Sequence, residues 1–154
     1  MLIRNILEES VRKFDEVKAV KWLKKKEIME RSYGELMENV VSTRKGLLAE
    51  GFEGKHIALI GTSSVEWMES YLGIITGCTT AVPLDAALPC EDLIDLLNRS
   101  DSVALFLSPK LKPYLDAFLE NCPKLQKVWM LQEEVEDAPA KVYGIGELRN
   151  AGQS

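Results

Sequence analysis

His56-Ile57-Ala58-Leu59-Ile60 and, further along, Val103-Ala104-Leu105-Phe106-Leu107 are short and almost wholly apolar. Such runs suit strands covered on both faces, as the strands of a parallel sheet are. Helical and strand-like segments alternate around them. Ser64 to Ile75 reads as a helix, Thr80 to Pro83 as a strand, and Glu91 to Leu97, introduced by Pro89, as a helix. After the second apolar run, Lys110 to Leu119 reads as a helix and Lys127-Val128-Trp129-Met130-Leu131 as a strand. Strict alternation implies right-handed crossovers. The expected fold class is therefore α/β, with a largely parallel sheet and helices on both faces.

Working outward towards the N-terminus, Ser32 stands three residues before Glu35, the spacing of a capping box. It opens a long amphipathic helix carrying Leu36, Met37, Val40, Val41, Leu47 and Leu48, with Gly51 as its left-handed cap. Before it, Ala19 to Leu23 and Ile28 to Ser32 form an expected β-hairpin around the charged tip Lys24-Lys25-Lys26-Glu27. Leu2, Ile3, Ile6, Leu7, Val11 and Phe14 have helical spacing. Beyond Gln132 the acidic stretch Glu133 to Asp137 reads as a surface loop, residues 132–154 as a partly flexible tail, and Tyr143 to Leu148 as the start of another element. Residues 1–154 thus read as one domain, with no internal repeat.

The totals bound the function. With 24 acidic against 19 basic residues, the net charge of −5 gives no footprint for a nucleic-acid backbone. Three lysines flanked by acids at a turn are a solvated tip. Cys78, Cys90 and Cys122 are widely spaced, and with a single histidine they make no zinc pattern; reduced thiols in a cytoplasmic protein are expected. The apolar region from Tyr71 to Leu84 is broken by Gly73, Gly77, three threonines and Pro83, so no transmembrane helix is expected.

Several groups invite a chemical reading, each with a plainer one beside it. Gly61-Thr62-Ser63-Ser64 lies between a strand and a helix start, where free N–H groups and the helix dipole hold anions; a serine cap also accounts for it. Whether Gly61 to Ser64 binds an anion stays open at this level. His56, the only imidazole, stands at a strand start with Glu53 and Lys55 as its near charged neighbours, too little for a general base. Glu66 with Glu69, and Glu91 with Asp92 and Asp95, form carboxylate groups on helix faces that read as solvated surface. Trp67 and Tyr71 read as an aromatic ledge over the sheet. Gly73 and Gly77 imply close packing or a cap, and Pro83 suits a strand end. No catalytic, cofactor-binding or metal-binding residue is assigned.

One ordered series adds a family resemblance. Arg31-Ser32-Tyr33-Gly34-Glu35-Leu36, His56 to Ile60, Val65-Glu66-Trp67, Tyr71-Leu72-Gly73-Ile74, Ala81-Val82-Pro83-Leu84-Asp85 and Leu97-Asn98-Arg99-Ser100-Asp101 resemble the N-terminal part of the AMP-forming acyl-CoA synthetases. These are acyl-adenylating enzymes, a family that includes luciferases and peptide-synthetase adenylation domains. Within it, Glu66-Trp67, Tyr71 to Ile74, Val82 to Asp85 and Leu97 to Ser100 look most similar to bacterial long-chain fatty acid ligases.

The resemblance implies a parent reaction in which a fatty acid, ATP and CoA give acyl-CoA, AMP and pyrophosphate, with ATP, magnesium and coenzyme A as the parent's cofactors. The family's Ser/Thr/Gly-rich phosphate loop, acidic ribose and magnesium ligand, and C-terminal lysine have no counterpart here; Gly144-x-Gly146 carries no accompanying lysine or serine cluster. The expectation is an N-terminal α/β subdomain, cut before the phosphate loop, structural in itself and partnered by the remainder of the ligase. A cut domain is also expected to expose apolar surface and self-associate. The competing expectation is a stand-alone α/β binding or interaction module without enzyme activity.

Overall fold

The computed structural model describes residues 18–24, 27–61, 64–132, 135 and 139–153. Strands β1 (Lys18–Lys24) and β2 (Glu27–Ser32) pair antiparallel as the expected hairpin. The long helix α1 (Tyr33–Ala49) follows, then β3 (His56–Gly61), α2 (Val65–Ile75), β4 (Thr80–Asp85), α3 (Cys90–Arg99) and β5 (Ser102–Leu107). A 3-10 helix, Pro109–Tyr114, leads into α4 (Leu115–Asn121), then β6 (Lys127–Met130), β7 (Val142–Gly144) and α5 (Ile145–Gln153). The helix expected over Leu2 to Phe14 lies outside the described residues, as does the hairpin tip at 25–26.

Five strands form one sheet in the order β4-β3-β5-β6-β7, every pair parallel. Alternate residues of each inner strand supply two separate cores. Ala58, Ile60, Leu105, Leu107, Val128 and Met130 pack with Leu93 and Leu97 of α3 and with Leu115 and Phe118 of α4. Ile57, Leu59, Ala104, Phe106 and Trp129 face the opposite side, with Leu47, Ile74 and Leu148 from α1, α2 and α5. The two-faced burial read from the apolar runs is thus literal, and the α/β expectation holds.

Local chemistry sets the element ends. The Ser32 hydroxyl accepts from the Glu35 N–H at 3.1 Å, capping α1. At its other end Gly51 has φ +81°. The Gly51 N–H donates to Leu48 O at 3.0 Å and the Phe52 N–H to Leu47 O at 3.2 Å, the paired bonds of a Schellman cap.

Two readings shift. The segment expected as one helix over Lys110 to Leu119 splits, because Pro113 has no N–H to continue a regular helix; a 3-10 turn precedes a short α-helix. Pro83 is not at a strand end but mid-strand, opposite Leu59; β4 is the sheet's edge, where a missing donor is tolerated. Tyr143 to Leu148 does lie in further elements, β7 and α5, whose side chains Ile145, Leu148 and Arg149 are buried.

Gly73 is present for close packing, since a Cβ there would stand 2.8 Å from the Thr43 side chain on α1. Gly77 likewise sits 2.9 Å, measured from such a Cβ, from Arg44 Cγ.

The three cysteines are free, with Cys78 exposed, Cys90 half-buried and Cys122 buried. Burial, with a smaller contribution from nearby Cys90, pushes the Cys122 thiol up to about 11. A disulfide-exchange reagent at pH 8 is therefore expected to label Cys78 first and Cys122 only on unfolding. Because the folded value lies above the ordinary 9.0, the unfolded chain ionises first. Stability held by the neutral thiol is full below pH 9 and lost between there and about pH 11. Labelling of Cys122 at the Cys78 rate would contradict its burial; Cys78→Ser identifies the fast phase.

Candidate functional site

The strand order places a reversal point between β3 and β5. From β3 the chain leaves through α2 to β4 on one side; from β4 it returns through α3 across β3 to β5. In open α/β sheets of this kind, ligands bind in the crevice beyond the carboxyl ends of the two strands where the order reverses. Here those ends are Gly61 and Ser108, and the crevice is the candidate site.

Its geometry is tight. The Ser108 N–H donates to Ile60 O at 2.9 Å and the Leu131 N–H to Leu107 O at 2.8 Å, so the sheet register carries on just past the strand ends. A Cβ at Gly61 would lie 3.0 Å from Ser108 Cβ, 3.2 Å from Trp67 Cδ1 and 3.4 Å from Leu131 Cδ1. Glycine at 61 is what lets the chain pass between these three side chains. The Ser64 hydroxyl accepts from the Trp67 N–H at 3.1 Å and so caps α2. Of the stretch Gly61 to Ser64, residues 62 and 63 lie outside the described set. Trp67 and Tyr71 stack face to face at 5.3 Å with an 11° interplanar angle, and both pack on the sheet as a ledge beside the crevice.

The other flagged groups do not converge on this crevice. His56 begins β3 and therefore sits at the opposite, amino edge of the sheet, a strand's length from Ser64. Its Nδ1 lies 2.7 Å from the Ser100 carbonyl oxygen. Glu91, Asp92 and Asp95 are exposed on α3, and Asp95 pairs with Arg99 at 3.0 Å, as a solvated face should. Gly144 ends β7 and Gly146 lies in the first turn of α5, away from any loop of phosphate-binding form.

Glu69 departs from its expectation. It is not on a solvated face but fully buried, between α1, α2 and α5. The Asn39 amide donates to Glu69 Oε2 at 2.8 Å, and the Arg149 guanidinium lies 3.5 Å from Oε1. Arg149 Nε also donates to Thr43 Oγ1 at 3.2 Å. The sequence holds no local signal for this, since Arg149 is 80 residues away from Glu69. Among the described residues no cluster of His, Cys, Asp and Glu is placed to hold a metal ion. Nor is any described helix long and apolar enough to cross a membrane.

A parallel sheet with this order and helices on both faces places the chain in the doubly wound α/β class. The chain belongs to the AMP-binding enzyme family, whose model it matches over residues 7–150. Among solved structures it is similar to coronafacic acid ligase from Pectobacterium brasiliense, with 20% identity and a TM-score of 0.86 over 97% of this chain and 29% of that one. It is also similar to the anthranilate CoA ligase AuaEII bound to anthranoyl-AMP, with 17% identity and a TM-score of 0.82 over 96% of this chain and 27% of that one. A third is a protein assigned as a long-chain-fatty-acid CoA ligase in Rhodopseudomonas palustris, with 11% identity and a TM-score of 0.80 over 96% of this chain and 36% of that one. At these identities the likeness is one of fold. The chain spans between about a quarter and a little over a third of the length of these structures. No curated protein sequence matches it.

Proposed function

We propose that this chain is the N-terminal portion of an ATP-dependent acyl-CoA ligase whose parent reaction joins a fatty acid to coenzyme A through an acyl-adenylate. The observation that carries this reading is one of coverage: nearly the whole chain superposes on adenylate-forming ligases, and on only 27–36% of each. The chain's own part is structural. Its two-faced sheet is a wall, and the remainder of the ligase is the partner that packs on it.

ATP, magnesium and coenzyme A belong in this reading to the parent. Among the described residues at the crevice none fits a phosphate chain, since the space at Gly61 is taken by Ser108, Trp67 and Leu131 and the Ser64 oxygen is committed to its helix. A fatty acid is favoured among acyl substrates by the Glu66-Trp67, Tyr71 to Ile74 and Leu97 to Ser100 likeness. Free thiols at all three cysteines agree with a cytoplasmic setting.

One observation favours the second reading, a stand-alone binding or interaction module. Among the described residues Leu48 is the one large apolar side chain that is exposed, at 44%. That is less bare surface than self-association through a cut face needs.

The isolated chain is expected to give no ATP–pyrophosphate exchange with palmitate, magnesium and ATP. Exchange above a no-enzyme control would overturn the assignment of catalysis to the remainder. An antibody to this chain separates the two readings in source cells: a species several times heavier than 17.3 kDa supports the ligase. A native species of 17.3 kDa supports the module.

A further inference from the structure

The amino edge of the sheet, opposite the crevice, holds an open cleft of about 530 Å³ whose lining includes Gly54, Lys55, His56, Asp101, Lys124 and Gln126. Sites for small molecules run from roughly 300 to 1,000 Å³. The backbone holds the walls in place. Gly54 and Asp101 both adopt left-handed conformations, at φ +75° and +55°, which turn the chain sharply into β3 and β5. The Gly54 N–H donates to Cys78 O at 2.6 Å and the Gln126 N–H to Val103 O at 2.7 Å.

His56 is fixed by its contact with the Ser100 carbonyl. A carbonyl only accepts, so Nδ1 carries the proton and Nε2 is the nitrogen left to change state. Protonation makes Nε2 a second donor without disturbing the first bond. Asp101 is the one carboxylate in the lining, and it is already ion-paired with Lys124. An ammonium has three donors, so two remain on Lys124, and Lys55 brings a second ammonium. The cleft is therefore a cationic spot, with a chargeable imidazole, on a chain of net charge −5.

We propose that this cleft binds a small phosphate monoester, its phosphoryl oxygens accepting from Lys55, Lys124 and protonated His56. Three donor groups, Lys55 and His56 from the start of β3 and Lys124 from the turn before β6, suit a dianion with three terminal oxygens better than a carboxylate with two and a single charge. The volume beyond the phosphoryl group holds the organic part. The site lies at the far edge from the ligase crevice and does not depend on the ligase reading.

His56 is the only histidine in the chain, so its ring Hε1 proton gives a single NMR signal free of overlap. Inorganic phosphate and phenyl phosphate are titrated against it at constant ionic strength, with chloride and acetate as comparison arms. A saturable shift is expected at about 1–10 mM.

Lys55→Gln with Lys124→Gln should weaken phosphate binding by about fivefold or more. Both lysines are exposed, so the fold should persist, and circular dichroism verifies it. A non-saturating response, equal effects of chloride, or wild-type affinity in the double variant would overturn the site. An acetate response as strong as phosphate's would overturn the choice of ligand.

Discussion

Replacing Arg149 by methionine is expected to cost about 3–5 kcal/mol, the penalty for taking the guanidinium away from a buried carboxylate. For a domain whose total stability is roughly 5–15 kcal/mol, that is a large share. The side chains of Arg149 and Glu69 are only 6% and 0% exposed, so water cannot take over solvation of the carboxylate. Asn39 still donates one hydrogen bond to Glu69, and Thr43, itself bonded to the Asn39 carbonyl at 2.8 Å, loses the Arg149 Nε–H. The group ties α5 to α1 and α2, so the loss should be read by urea unfolding and by hydrogen exchange in α5. Glu69→Leu combined with Arg149→Met should recover most of the loss, because two apolar side chains carry no desolvation cost. A single Arg149→Met change costing under about 1 kcal/mol would mean that the pair is not buried as described.

The same pair shows where the sequence stops being readable. Strand identity, two-faced burial and the caps at Ser32, Gly51 and Ser64 follow from local pattern, because period, turn chemistry and side-chain hydrogen bonding act within a few residues. Alternation of strands and helices implies parallel strands, but the reversal at β3 and β5 is a matter of strand order, which local pattern does not carry. What stayed hidden depends on distant contacts.

Gly46 is one case: it sits in the last turn of α1, before the cap at Gly51, and its purpose is the arrival of α5. A Cβ there would overlap the Leu148 carbonyl and lie 2.7 Å from Leu148 Cδ1. Glu69 is another, since a carboxylate three residues from Glu66 has the spacing of a solvated face whatever packs on it. His56 belongs with them: Ser100 and the Asp101–Lys124 pair reach it only after two crossovers. The candidate crevice was legible as a strand-to-helix turn at Gly61, but its crowding by Ser108 and Leu131 was not.

Trp129→Ala should be the other large loss, again about 3–5 kcal/mol, from removing the largest fully buried side chain and leaving a cavity. Trp129 lies on inner strand β6 at 1% exposure. Its ring meets Phe52 edge-on at 6.0 Å and 70°, and tilts against Phe106 at 5.5 Å and 34°. These contacts join the sheet to the chain that leaves α1 through its Schellman cap, so the cavity would open between two elements that cannot both move inward.

Trp67 supplies the internal comparison. It is only half-buried on the ledge, and its stacking on Tyr71 is local to one helix; Trp67→Ala should therefore cost clearly less than Trp129→Ala. Urea denaturation followed by circular dichroism measures both without relying on tryptophan emission, and an unchanged slope would confirm that stability alone has changed. Equal losses in the two variants would mean that the ledge, and with it the wall beside the crevice, is packed as tightly as the centre of the sheet. That result would count against the crevice as the place where the rest of a ligase completes a site, because a face already closed leaves nothing for a partner to cover.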